Sequence, residues 1–140
     1  STPDSFWDCD ALAVLIDHRD RAAARHAGGG ERMFWLIPQP AKKGIYAGQW
    51  KRGNEIPAHR LDIPEVKGAS RVVGAGYVLE AVIPTTLIPD VKLAAGTRLS
   101  GLLLLAVRGK VAHSEVGWPA TKGHGTGGGL ETWPLLVLGE

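Results

Sequence analysis

A chain of 140 residues is enough for about one domain with a core of its own. Sixteen basic residues against 14 acidic leave a formal charge of only +2, with the basic residues scattered, which argues against a nucleic-acid partner. The single Cys9 excludes an internal disulfide and a zinc site built from several thiolates, and no apolar run reaches the ~20 residues of a membrane-crossing helix.

Nineteen glycines and nine prolines favour many short strands over long helices. The chain begins at Ser1 without an initiator methionine, the pattern of a mature or excised domain. The run 11–17 (ALAVLID) predicts a first strand, apolar on both faces and ending in the charged turn Asp17-His18-Arg19-Asp20. RAAARH, 21–26, is too short for a helix stable alone and is cut off by Gly28-Gly29-Gly30, so it is read as loop. Residues 33–37 (MFWLI) predict a second strand stopped by Pro38 and Pro40, and 44–51 (GIYAGQWK) a third. Residues 52–63 read as a loop or weak edge. Residues 69–73 and 77–83 read as strands joined at Gly74-Ala75-Gly76, a short glycine hairpin. The run 99–107 (LSGLLLLAV) predicts a central strand, bounded by Gly96 and Gly109. GHGTGGG, 123–129, is a loop, and TWPLLVL, 132–138, a closing strand near an edge because of Pro134. Short strands with glycine punctuation predict an all-β, single-domain antiparallel β-sandwich over residues 1–140.

Several of these pieces together carry a resemblance: Asp10-Ala-Leu-Ala-Val-Leu-Ile-Asp17, Gly76-Tyr-Val-Leu-Glu-Ala-Val-Ile-Pro84 with Leu87, the apolar strand 99–107, and Thr132-Trp-Pro-Leu-Leu-Val-Leu138. In this order they resemble the family 9 carbohydrate-binding modules and their DOMON-like relatives. The resemblance implies a jelly-roll-like sandwich, an extracytoplasmic location and attachment to a larger glycan-active or cell-surface protein. It also implies sugar bound between aromatic rings, frequently with structural calcium. Two departures stand out. The family's strands before the Asp10 position are missing here, and the loop after the long apolar strand, often acidic in the family, is Arg108-Gly109-Lys110.

Glu80 is the one carboxylate in the apolar stretch 76–83. Alternation puts Tyr77, Leu79, Ala81 and Ile83 on one face and Val78, Glu80 and Val82 on the other. A buried, unpaired carboxylate would cost several kcal/mol. Glu80 is therefore expected to pair with Arg71 or Arg98, to contact a ligand or metal, or to be at least partly wet. Among the five tryptophans, Trp35 and Trp133 lie in apolar strands and read as core, while Trp7 could seal the end of the sandwich. Trp118 stands in the sequence Glu115-Val-Gly-Trp-Pro119, read as a turn, and Trp50 among Gln49, Lys51 and Arg52. These two are either sugar platforms or ordinary packing. A flat ring offers a sugar's apolar face contact at low entropy cost, and polar neighbours set orientation. The expected sugar-binding set is Trp50, Trp118, Arg71, His113 and Glu115.

The metal candidates are Asp8 and Asp10, near Asp17 and Asp20, but solvated strand ends also account for all four acids and no EF-hand spacing is present. The five histidines show no zinc-ligand spacing, no G-x-S-x-G elbow or phosphate loop exists, and nothing selects a glycosidase carboxylate pair. The sequence therefore predicts a non-catalytic domain that binds oligo- or polysaccharide, with no nucleic-acid partner and no membrane insertion. The alternatives are an interaction sandwich that has lost sugar binding and, as a minor one, a haem-binding domain using Met33 with a histidine or lysine.

Overall fold

The computed structural model of the chain describes residues 9–18, 31–50, 62–108, 113–118 and 135–137. Eight strands are described: β1 Ala11–Asp17, β2 Glu31–Gln39, β3 Gly44–Trp50, β4 Lys67–Val73, β5 Gly76–Val82, β6 Arg98–Arg108, β7 His113–Trp118 and β8 Leu135–Val137. Three-residue 3₁₀ turns lie at Pro40–Lys42 and Thr85–Leu87, and no α-helix occurs among the described residues. The expected all-β architecture of antiparallel sheets is what the chain forms.

One sheet runs in the order β3-β2-β1-β6-β7, with β8 also paired to β6; the other is the β4–β5 hairpin. Every pairing is antiparallel. Three consecutive strands lie side by side, and the chain returns through the hairpin layer to set β6 beside β1. This is a Greek key, the unit that a jelly roll contains twice. The run 98–108 is a strand rather than a helix because both its edges are used. Its residues pair with β1 on one side and with β7 and β8, end to end, on the other.

The strand period sorts the core into two clusters on the two faces of the large sheet. On one face Ala11, Ala13, Leu15, Met33, Trp35, Ile37 and Leu104 pack with Cys9. On the other, Phe34, Leu36, Ala47 and Leu99 meet Ile63, Val66, Ile88 and Val91, with Leu79, Ala81 and Ile83 of the hairpin side against them. Trp35 is fully buried, as its apolar surroundings predict. It lies across Gly48, its direct partner in the β2–β3 register. A Cβ at position 48 would overlap the indole at Cε2, Cζ2 and Nε1.

Several expectations are corrected. Pro38 does not end β2, which continues to Gln39. Pro38 lies beyond the last β1–β2 pair, Leu12 with Leu36, and is opposed only by Ile45 of β3, a half-laddered position where a missing N–H is tolerated. Asp17 is not a solvated strand end but is buried, opposite Ser100 and Glu31 in the register. Ile63, placed in a polar loop by its sequence neighbours, is buried, and its N–H donates to the Ala47 carbonyl at 3.0 Å. The proposed strand 132–138 is found over its central part as β8. Trp7, Trp133 and the glycine loop 123–129 lie outside the described residues.

The hairpin is pinned to the large sheet at two places. Ser70, buried in an otherwise exposed strand, accepts the Gln39 N–H at 2.9 Å and donates to the Gly44 carbonyl at 2.6 Å. Downstream, Arg32 of β2 forms an ion pair with Asp90 at 2.7 Å, holding the segment after β5 over the same face. The β4–β5 turn has two central residues, Gly74 and Ala75, with φ 58° at Gly74. A leading glycine with positive φ suits the twist of a two-residue hairpin.

Candidate functional site

The outer face of the hairpin supplies the site. In the β4–β5 register Arg71 opposes Val78 and Ala69 opposes Glu80, so Arg71 and Glu80 are diagonal neighbours on the same exposed face. Diagonal Cβ atoms lie about 7–8 Å apart, within reach of long side chains. The expected alternation of β5 is therefore realised, with Tyr77, Leu79 and Ala81 half-buried and Val78, Glu80 and Val82 exposed. Glu80 needs no buried counter-ion because its face is wet. Arg98 lies in β6, a strand of the large sheet.

Beside this face the Pro40–Lys43 connector forms a wall. Together Pro40, Lys43, Ala69, Ser70, Arg71, Val72, Val78 and Glu80 line an open groove of about 560 Å³. That volume lies within the range of small-ligand sites. Lys43 holds φ 52° and ψ 24°, the left-handed region, while its N–H donates to the Pro40 carbonyl at 3.1 Å. It is the one non-glycine residue with positive φ among those described. For a lysine this backbone costs about 1–2 kcal/mol relative to a right-handed one.

The other expected site residues do not gather here. Trp50 ends β3 opposite Met33, and Trp118 ends β7 opposite Leu103. The strands of these two tryptophans are at opposite edges of the large sheet, four steps or roughly 19 Å apart. Trp118 is also not in a turn, since Gly117 continues the ladder opposite Leu104. Gln49, whose polarity suggested an open setting for Trp50, is itself buried. His113 and Glu115 lie in β7, at the ladder positions opposite Arg108 and Ala106.

Asp8 lies outside the described residues, and Asp10 is exposed just before β1. Calcium requires six to eight oxygens, and the described residues contain no group of three histidine, cysteine or acidic side chains placed to hold a metal. Met33 is engaged in the apolar cluster around Trp35. Asp10 instead acts on Tyr77. Burial pushes the Tyr77 phenol above its ordinary value, and the nearby Asp10 carboxylate raises it further by opposing a second negative charge.

A raised phenol stays protonated in the folded state after the unfolded chain has begun to ionise. Its contribution is therefore complete below about pH 10 and is lost as pH climbs through the folded value. Alkaline melts should show wild type losing stability more steeply above about pH 10 than Tyr77→Phe; identical slopes would remove Tyr77 as the cause.

The class defined by these features is an all-β, sandwich-like fold whose hairpin layer carries an open, largely apolar groove edged by Lys43, Arg71 and Glu80. No protein family, curated protein or solved structure matches the chain.

Proposed function

We propose that the chain is a non-catalytic carbohydrate-binding domain whose ligand lies in the hairpin groove, and that it tethers a larger extracytoplasmic, glycan-active or cell-surface protein to its polymer. The observation that carries this reading is the placement of Arg71 and Glu80 as diagonal neighbours on the exposed hairpin face, beside an apolar floor. Arg71 offers hydrogen-bond donors and Glu80 acceptors to sugar hydroxyls. Val78, Val72, Ala69 and Pro40 offer surface to the C–H faces between those hydroxyls. An open groove admits a polymer along its length rather than enclosing a small molecule. The family resemblance of the sequence supports the same ligand class. Tethering raises the local concentration of an attached partner on the polymer without any new chemistry.

In affinity gels cast with a broad panel of polysaccharides, at least one should retard the domain. The double variant Arg71→Ala/Glu80→Gln should then lose roughly tenfold or more in affinity. A folded domain that no polysaccharide retards would overturn the reading.

A second reading, an interaction sandwich without sugar binding, draws on the exposed valines of the hairpin. Val72 is 65% and Val82 69% exposed. On that reading a neighbouring domain covers them, and glycan panels stay silent while a partner protects the hairpin from hydrogen exchange.

A further inference from the structure

The groove contains two cations and one anion. Lys43 stands on the connector wall, Arg71 on the β4 wall, and Glu80 beside Arg71. Among the described residues none of the three takes part in an ion pair, whereas Arg32 and Asp90 pair elsewhere on the hairpin layer. A diagonal Arg71–Glu80 contact would leave Lys43 as excess positive charge, and so would their separate use on a ligand.

The backbone at Lys43 is the second observation. A residue in the left-handed region is ordinarily glycine or asparagine, and Gly44 follows immediately. Placing the glycine one position earlier would relieve the strain. Instead a lysine is held there, anchored by its own N–H to Pro40 and flanked by the Gly44 carbonyl that Ser70 captures. Strain kept at a ligand-facing position points to use of the side chain.

We infer that the groove selects saccharides bearing a carboxylate, uronic-acid units, with Arg71 and Lys43 receiving the carboxylate and Glu80 accepting from a neighbouring hydroxyl. The inference rests on the carbohydrate reading above. The planar guanidinium matches a carboxylate with two parallel hydrogen bonds, while the ammonium adds a point charge from the opposite wall. A neutral sugar would leave Lys43 without a role. A bare anion would leave the apolar floor and Glu80 without one, and Glu80 would repel it.

The test compares three probes against the intact chain by calorimetry: oligogalacturonate, its fully methyl-esterified counterpart, and poly-glutamate. Oligogalacturonate is expected to bind at least roughly tenfold more tightly than the methyl ester, with affinity falling as salt rises. Lys43→Gln should erase most of that ratio. Changing Lys43 to glycine, which relieves the backbone, should raise thermal stability and still lose the acid preference; this separates the side chain's role from a folding defect. Equal binding of acid and ester would overturn the inference and keep the carbohydrate reading. Equal binding of poly-glutamate would reduce the groove to simple charge attraction and overturn it too. Binding of none of the three, together with silence across the polysaccharide panel, would overturn both readings.

Discussion

Replacing Gly48 with alanine should destabilise the fold by about 1–3 kcal/mol, the usual cost of forcing atoms into a packed core, and more if the backbone must shift. The added Cβ falls on Trp35 at Cε2, Cζ2 and Nε1. That ring cannot step aside, because Trp35 is fully buried among Ala13, Met33, Ile37 and Leu104. The clash predicts its own cure. Trp35→Leu alone should cost about 3–5 kcal/mol at most, since it removes a large buried side chain and leaves a cavity. In the double variant the new methyl enters space the indole has vacated, so the combined loss should fall short of the sum by about 1 kcal/mol or more. Urea unfolding of the four proteins measures this directly, and strict additivity would show that position 48 and the indole do not meet. Each kcal/mol should appear as a shift of roughly 3–6 °C in melting temperature.

The sequence shows the strands more clearly than it shows their surroundings. The apolar run at β1 is bounded by polar residues, and its predicted limits, 11–17, coincide with the strand. The hairpin around Gly74 is legible because a two-residue turn with positive φ requires a glycine. The long apolar β6 is legible from its length and its glycine flanks, even though a leucine run favours helix. Three misreadings share one cause, that a local residue type was taken for its environment. Pro38 looks like a stop, but a proline is harmless where only one neighbour strand remains. Gly117 and Pro119 look like a turn around Trp118, but Gly117 is a ladder position. Asp17 and Gln49 look wet, but the sheet buries both. The site divides in the same way. Arg71 and Glu80 are both visible in the sequence, and the period of two puts Glu80 on the outer face. Pro40 and Lys43 are not visible, because they come from a connector about thirty residues upstream, and only the tertiary bonds of Ser70 bring that connector alongside β4.

Those bonds make Ser70→Ala the variant in which stability and recognition should fail together. Ser70 Oγ bridges the Gln39 N–H and the Gly44 carbonyl, the two ends of the connector that presents Lys43. Alanine fills nearly the same volume, so the loss is not one of packing. It leaves one donor and one acceptor without their partner under a buried β4 position, at a cost of about 1–3 kcal/mol. Water reaching the half-buried connector would place the result toward the lower end of that range. The consequence for the groove is geometric. With its ends released, the connector can swing away from β4 and carry Lys43 away from the groove it lines with Arg71. Ligand affinity should therefore fall several-fold although Ser70 contributes no charge, and the Gln39 amide should exchange its hydrogen much faster than in wild type while amides of β1 and β6 keep their protection. If the Gln39 amide stays protected in Ser70→Ala, the connector is held by something other than this serine. The width of the groove would then be set by the Pro40–Lys43 turn itself.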